Sequence, residues 1–286
     1  MRSIHIACWC VVLSLGKSFA AKAAESAAAE LLSQARAAYQ KGNTDEALAL
    51  ATKAIAAEAK NSQGYLLRGQ VHEANRRHAE AVADFDQVLK LDPRAAAVYQ
   101  HRGFEQFKLG HFTESIADFD KFIQLVPEQA PHHWQRGISL YYAGRFAEGR
   151  KQFESHQTVN PNDVENAVWH FLCTARTASV EKARAALIPI QGDTRVPMKE
   201  VHALFAGKAK PEEVLAAAKA GSPTPARLNH QLFYAHLYLG LYYEAIGDEK
   251  LAREYIFKAE EQFKDNDYMG EVARVHAEVF RKAEKK

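Results

Sequence analysis

Several columns of residues recur with a single spacing, and that spacing constrains the fold more than any other feature of the chain. Gly69, Gly103 and Gly137 stand 34 residues apart, as do Phe85, Phe119 and Phe153, and Pro93, Pro127 and Pro161. Arg68, Arg102 and Arg136 precede the glycines, and Ala81, Ser115 and Gly149 put a small residue in register. A fixed period of this length marks a stacked array in which each copy is one supersecondary unit. Apolar residues within a copy recur at helical rather than alternating spacing, and alanine is abundant, so each unit reads as two helices. The proline stops the second helix, because it lacks an N–H and clashes with the preceding turn. Gly110 and Gly144 turn the chain between helices where a left-handed residue is easiest, and Asn75-Arg76 takes that place in the second copy. The glycine is expected to let helix A approach helix B closely against the small residue, and the phenylalanine to fill the space between repeats. The recurring arginine is expected to pair with Asp84 and Asp118 as part of the scaffold.

The 34-residue period and the order Gly, small residue, aromatic, Pro resemble the tetratricopeptide-repeat (TPR) pattern. That resemblance implies an all-α solenoid of helical hairpins. A degenerate first copy covers about 28–61, with Tyr39, Gly42 and Ala47 in register and Ala59 where proline is expected. A last copy covers about 233–264, carrying Gly240, Tyr243, Gly247, Ala252 and Ala259. Between the two the period breaks. Residues 164–176 read as a helix A without its B, followed by short helices at about 178–188, 198–206 and 211–220. A closing helix from Tyr268 to Lys282 is expected to cap the apolar end of the array. The expected layout is therefore a leader at 1–20, four repeats over 21–163, an irregular helical insert at 164–227, and a last repeat with its capping helix over 228–286.

The leader reading rests on Arg2, an apolar stretch from Ile4 to Leu15, and Ser18-Phe19-Ala20 as a cleavage site. The stretch is about a dozen residues, short of the roughly 20 that span a bilayer, and has the layout of a secretory signal. Export to the periplasm or outside the cell is the expectation, with cleavage near Ala20 and no integral membrane segment afterwards. Removing residues 1–20 takes Arg2 and Lys17 from the 37 basic residues and nothing from the 35 acidic ones. The neutral chain that is left offers no electrostatic case for nucleic acid. Cys8 and Cys10 leave with the leader, so Cys173 stands alone and no internal disulfide is expected. Too few apolar residues precede Cys8 to make it a lipidation site, and no lipid anchor is expected.

No motif for catalysis, cofactor binding or metal binding stands out. Walker, dinucleotide-binding, nucleophile-elbow and zinc-protease patterns are all missing. His170 and Cys173 lie one helical turn apart and read as a surface histidine beside a packed cysteine. The 13 histidines show no recurring spacing, and zinc needs three or four ligands converging. The surface with functional promise is the concave groove, which in TPR proteins is lined by helix A. In one repeat the positions expected there hold Gln100, His101, Phe104, Phe107 and Lys108, and in the next Trp134, Gln135, Ile138, Tyr141 and Tyr142. Spacings of three and four put each set on one helix face. Phe104 and Ile138 stand where a polar residue is usual, which makes them candidate anchors, with packing between repeats as the alternative. The lysine and asparagine clamp of chaperone-binding TPRs is missing, so chaperone C-termini are not expected ligands.

The order of parts is similar to that of the NlpI-type TPR proteins of the bacterial envelope. The likeness is carried by Arg136-Gly137-Ile138-Ser139-Leu140-Tyr141-Tyr142-Ala143-Gly144-Arg145, by the Asn160-Pro161-Asn162-Asp163 turn ahead of Trp169, and by Phe233 to Asp248. It implies a dimeric, lipid-anchored adaptor that gathers cell-wall hydrolases and a processing protease; the chain departs from it in lacking the lipidation cysteine. Three functions are therefore open at this point. They are a protein- or peptide-binding adaptor, a self-assembling homodimer whose groove is filled by its own N-terminus, and an enzyme hidden in the irregular segment.

Overall fold

A computed structural model describes residues 25–284; the leader at 1–20 lies outside the described residues. The described chain is all helix and turn, with no strand. It divides into two compact units, with the boundary between Glu105 and Gln106.

The first unit holds α1 (25–40), α2 (Thr44–Ala57), α3 (Ser62–Ala74), α4 (His78–Leu91) and most of α5 (Ala96–Lys108). Its hairpins turn on left-handed residues, Gly42 at φ 80° and Arg76 at φ 58°, the second being the imperfect turn that the sequence foreshadows. Small residues let α1 and α2 meet closely, since Ala35, Ala38, Ala47, Ala51 and Ala54 make most of their core. In the next repeat the glycine column explains itself. A Cβ on Gly69 would stand 2.8 Å from the Phe85 ring, so the glycine seats the phenylalanine 16 residues ahead in its own hairpin. Arg68 holds Asp84 through Nη2 at 2.7 Å and Nε at 2.8 Å, the pairing that the repeat columns predict. Arg102 reaches Asp86 at 2.6 Å.

The second unit continues with α6 (Phe112–Leu125), a 3-10 turn (Pro127–His132), α7 (Trp134–Tyr142) and α8 (Phe146–His156). The same glycine logic repeats, with Gly137 lying against Phe153 and Gly240 against Ile256. Next comes α9 (Val164–Thr177), which is buried without a break from Asn166 to Thr174. A helix apolar all round belongs inside a core, and α9 is wrapped by α8, α10 (Val180–Ala185) and α11 (Met198–Phe205). The insert is completed by α12 (Pro211–Lys219), which packs on α13 (Pro225–Ala245). The latter is buried from Gln231 to Leu241 and pairs with α14 (Glu249–Glu261) as the last hairpin.

The closing helix, α15 (Tyr268–Ala283), packs on α14 as the sequence predicts, with Phe257 and Phe280 in edge contact. It also does something the sequence does not announce. Tyr268 stacks on Phe107 at 5.6 Å and meets Trp134 edge-on at 5.0 Å. His276 Nδ1 lies 2.8 Å from the Tyr142 hydroxyl. The inner side of this unit's repeats is filled by the chain's own C-terminal helix.

Candidate functional site

The expected groove residues separate into three groups. Gln100, His101 and Phe104 lie in the first unit, all half-buried. There His101 borders an open recess of about 390 Å³ with Tyr39, Gln70, Glu73 and Ala74. Its Nδ1 is 3.0 Å from the Glu73 carboxylate.

Three residues expected in the groove are core instead. Phe107 and Ile138 are wholly buried, and Tyr141 is 6% exposed. Phe107 is enclosed by Phe112, Tyr142 and Tyr268, and Tyr141 packs on Phe146 and Trp169. Ile138 belongs to the same cluster. It stands apolar where a polar residue is usual because the helix face it occupies is covered, so packing rather than ligand contact accounts for it.

The third group borders α15. Lys108 lines a shallow recess with Val275, Glu278, Val279 and Lys282. Trp134 and Tyr142 are half-buried against Tyr268 and His276, and Gln135 is half-buried beside them in sequence. Self-filling of the groove was expected from the N-terminus; in the second unit it is the C-terminal helix that does so.

At the end of α7 nearest Tyr268 a cavity of about 230 Å³ remains. Trp134, Phe153, Trp169, Tyr234, Tyr268 and Met269 supply its apolar wall, and Asp163, Glu165, Asn166 and Asp267 its polar one. Two of the polar groups are fixed by a local need of the backbone. Asp163 caps α9 by accepting from Glu165 N at 3.1 Å, and Asp267 caps α15 by accepting from Gly270 N at 2.9 Å. The Tyr234 hydroxyl donates to Asp267 at 2.7 Å, and the Tyr238 hydroxyl donates to Glu165 at 2.6 Å. Arg195 bonds Asp163 at 2.7 Å and Asp193 at 2.6 Å, and also binds Glu165. Burial pushes the Glu165 carboxyl up to about 7, against the pull of Arg195. Trp169 Nε1 and Asn166 Oδ1 are buried here with no hydrogen-bond partner. The Asn166 amide nitrogen is committed to Phe153 O and Gln157 Oε1, which fixes the oxygen as the spare group.

The sequence reading missed this cavity. One local signal exists, since Asp163 and Glu165 open a helix that has no polar face of its own. Arg195 is 30 residues away from Glu165 in a segment without a repeat register, and nothing local points to it.

The His170–Cys173 pair is not a nucleophile and base. Cys173 is fully buried and burial pushes its thiol up to about 12. His170 is buried as well, not a surface residue, and faces Glu154 at 3.5 Å. Among the described residues, no group of three or more His, Cys, Asp or Glu is placed to hold a metal ion. No helix among them is long and apolar enough to cross a membrane.

The tetratricopeptide-repeat family matches residues 32–96, which fall on the first hairpins described above. Across the rest of the chain the helix-for-helix likeness is structural. A tetratricopeptide repeat protein from Parabacteroides merdae superposes with a TM-score of 0.57 over 87% of this chain and 98% of that one, at 16% identity. Residues 32–96 are thus tetratricopeptide repeats, and the chain as a whole has the fold of a TPR solenoid. MamA superposes with a TM-score of 0.54 at 15% identity, over 70% of the TPR chain and all of MamA. At such identities the likeness shows the fold alone. Among curated proteins, Hsc70-interacting protein 1 of Drosophila melanogaster is 38% identical over 85 residues. The match takes in 30% of the TPR chain and 22% of that relative. Stacked repeats of this kind present extended concave surfaces.

Proposed function

We propose that this TPR protein is an exported, non-catalytic adaptor that docks protein or peptide partners on the repeats of its first unit. One observation carries the assignment of the surface. In the second unit the inner face is filled by α15 through Tyr268 and His276. In the first, the recess beside Tyr39, Gln70, Glu73 and His101 stands open. Its mixed lining, with an aromatic ring, an imidazole, a carboxylate and an amide, suits a peptide held by one ring and several hydrogen bonds. The relative's name, Hsc70-interacting protein 1, supports an interaction role for the matching repeats. Because the lysine and asparagine clamp is missing, the partner is not a chaperone C-terminus. The NlpI-type order of parts favours cell-envelope partners, cell-wall hydrolases or a processing protease among them.

The test pairs binding with folding. A Tyr39→Ala/His101→Ala variant is expected to keep wild-type helicity by circular dichroism and to lose the envelope proteins that the wild type captures. A folded variant that captures the same proteins would move the docking surface elsewhere. Export is tested separately by intact mass of the native protein, which should correspond to a start near Ala21 with no acyl group. Retained Met1 or an added lipid mass contradicts that part.

A further inference from the structure

The cavity beside α15 has the composition of a site for positive charge. Four aromatic rings, those of Trp134, Trp169, Tyr234 and Tyr268, line it, and three carboxylates, Asp163, Glu165 and Asp267, sit among them. No lysine, arginine or histidine is among the described residues that line it. Arg195 is shared between Asp163, Glu165 and Asp193, and Asp267 is answered by a phenol rather than a cation. Negative charge is thus in excess around the space. Asn166, 3% exposed, keeps a buried acceptor with no donor to meet it.

We propose that this cavity binds a primary alkylammonium group, the head of a lysine side chain or of a small amine. Ring faces attract a cation, more strongly where water is excluded. An ammonium brings three N–H donors; one meets Asn166 Oδ1 and the others meet the carboxylates. The room agrees, because about 230 Å³ is below the roughly 300–1,000 Å³ of sites for drug-sized ligands. An anion would confront three carboxylates, and a purely apolar ligand would leave the Asn166 oxygen without a partner. The inference is independent of the docking surface proposed for the first unit, since every lining residue lies in the second.

Trp134 and Trp169 make the site its own reporter. The full chain is titrated with butylammonium chloride and, in parallel, with 1-butanol, its neutral counterpart, at constant ionic strength set with sodium chloride. Tryptophan fluorescence is expected to change saturably with butylammonium and at least about tenfold more weakly with the alcohol. Trp134→Leu keeps the apolar wall and the Trp169 reporter while removing one ring face, and should weaken butylammonium binding about tenfold. Cadaverine and Nα-acetyl-lysine methylamide then separate the two sources. Tighter binding of the diamine assigns a free amine, and tighter binding of the blocked lysine assigns a partner's side chain. Equal affinity for butylammonium and 1-butanol overturns the proposal, as does the lack of any saturable change. Unchanged affinity in a folded Trp134→Leu protein overturns it too. Should that variant not fold, the wild-type comparison decides alone.

Discussion

Gly137→Ala tests the packing rule that builds the repeats. A Cβ at this position would lie 2.6 Å from Phe153 Cζ, 2.8 Å from Cε1 and 3.1 Å from Cε2. Carbon atoms in good contact stand about 3.5–4.0 Å apart, so ring or helix must give by roughly 1 Å. Phe153 is 1% exposed, and its ring can yield only toward the cavity that it borders or by shifting its neighbours. Overpacking of this kind costs about 1–3 kcal/mol. Alanine's better helix propensity returns at most about 1 kcal/mol. Taking the middle of the overpacking range, the net loss is expected to be about 1 kcal/mol, or a melting temperature lower by roughly 2–4 °C for a unit of this size. Trp134 and Trp169 both lie in the second unit, so urea unfolding followed by tryptophan fluorescence reads that unit directly. Phe153→Leu supplies the other half of a double-mutant cycle, and Gly137→Ala should cost less beside it. A Gly137→Ala protein as stable as the wild type would refute the reasoning, because it would mean that the glycine is not what admits the ring.

His133 is buried between Phe119 and Phe122, and burial lowers its pKa to about 4. Its unfolded form takes up a proton near pH 6.5, so folding loses stability as pH falls from about 6.5 to 4, by up to about 3 kcal/mol. His133→Phe should therefore gain on the wild type across that window in urea melts, and a constant difference between the two would contradict the assignment. Tyr142→Phe removes the hydroxyl that meets buried His276 Nδ1 at 2.8 Å. It should cost about 1–3 kcal/mol in the same assay, whereas no loss would mean that α15 is held by its apolar contacts alone. Cys173, buried and with its thiol raised to about 12, should resist a thiol reagent at pH 8 in the folded protein and react fully in denaturant; rapid labelling of the native form would show that α9 opens.

What was legible in the sequence is local. Arg68 and Asp84 sit in one hairpin, and the pairing expected of their columns is made, whereas the seating of Phe85 on Gly69 within that hairpin was not foreseen. The short helices of the insert were legible too, because Pro189, Gly192, Pro197, Gly207 and Gly221-Ser222-Pro223 punctuate them. The groove was not, for a reason that Ile138 makes plain. Helical periodicity says which residues share a face, but not whether a distant element covers it. Tyr142 and His276 are 134 residues apart, and no period connects them. The cavity escaped for the same reason, since its walls come from α7, α8, α9, α13 and α15.

The docking of α15 sets the order of events in the chain's synthesis. The stretch from Tyr268 to Ala283 leaves the ribosome after every element that it packs against. Until it emerges, Phe107, Trp134 and Tyr142 lack the rings that complete their core. Contacts this far apart in sequence are entropically expensive to close and slow to form. The second unit is therefore withheld from its native state until α15 has been made. A chain lacking its last helix would display a wall of exposed aromatic side chains, the kind of surface that chaperones and proteases seize. The docking of α15 thus certifies a finished second unit, and a product cut short before it exposes its own defect.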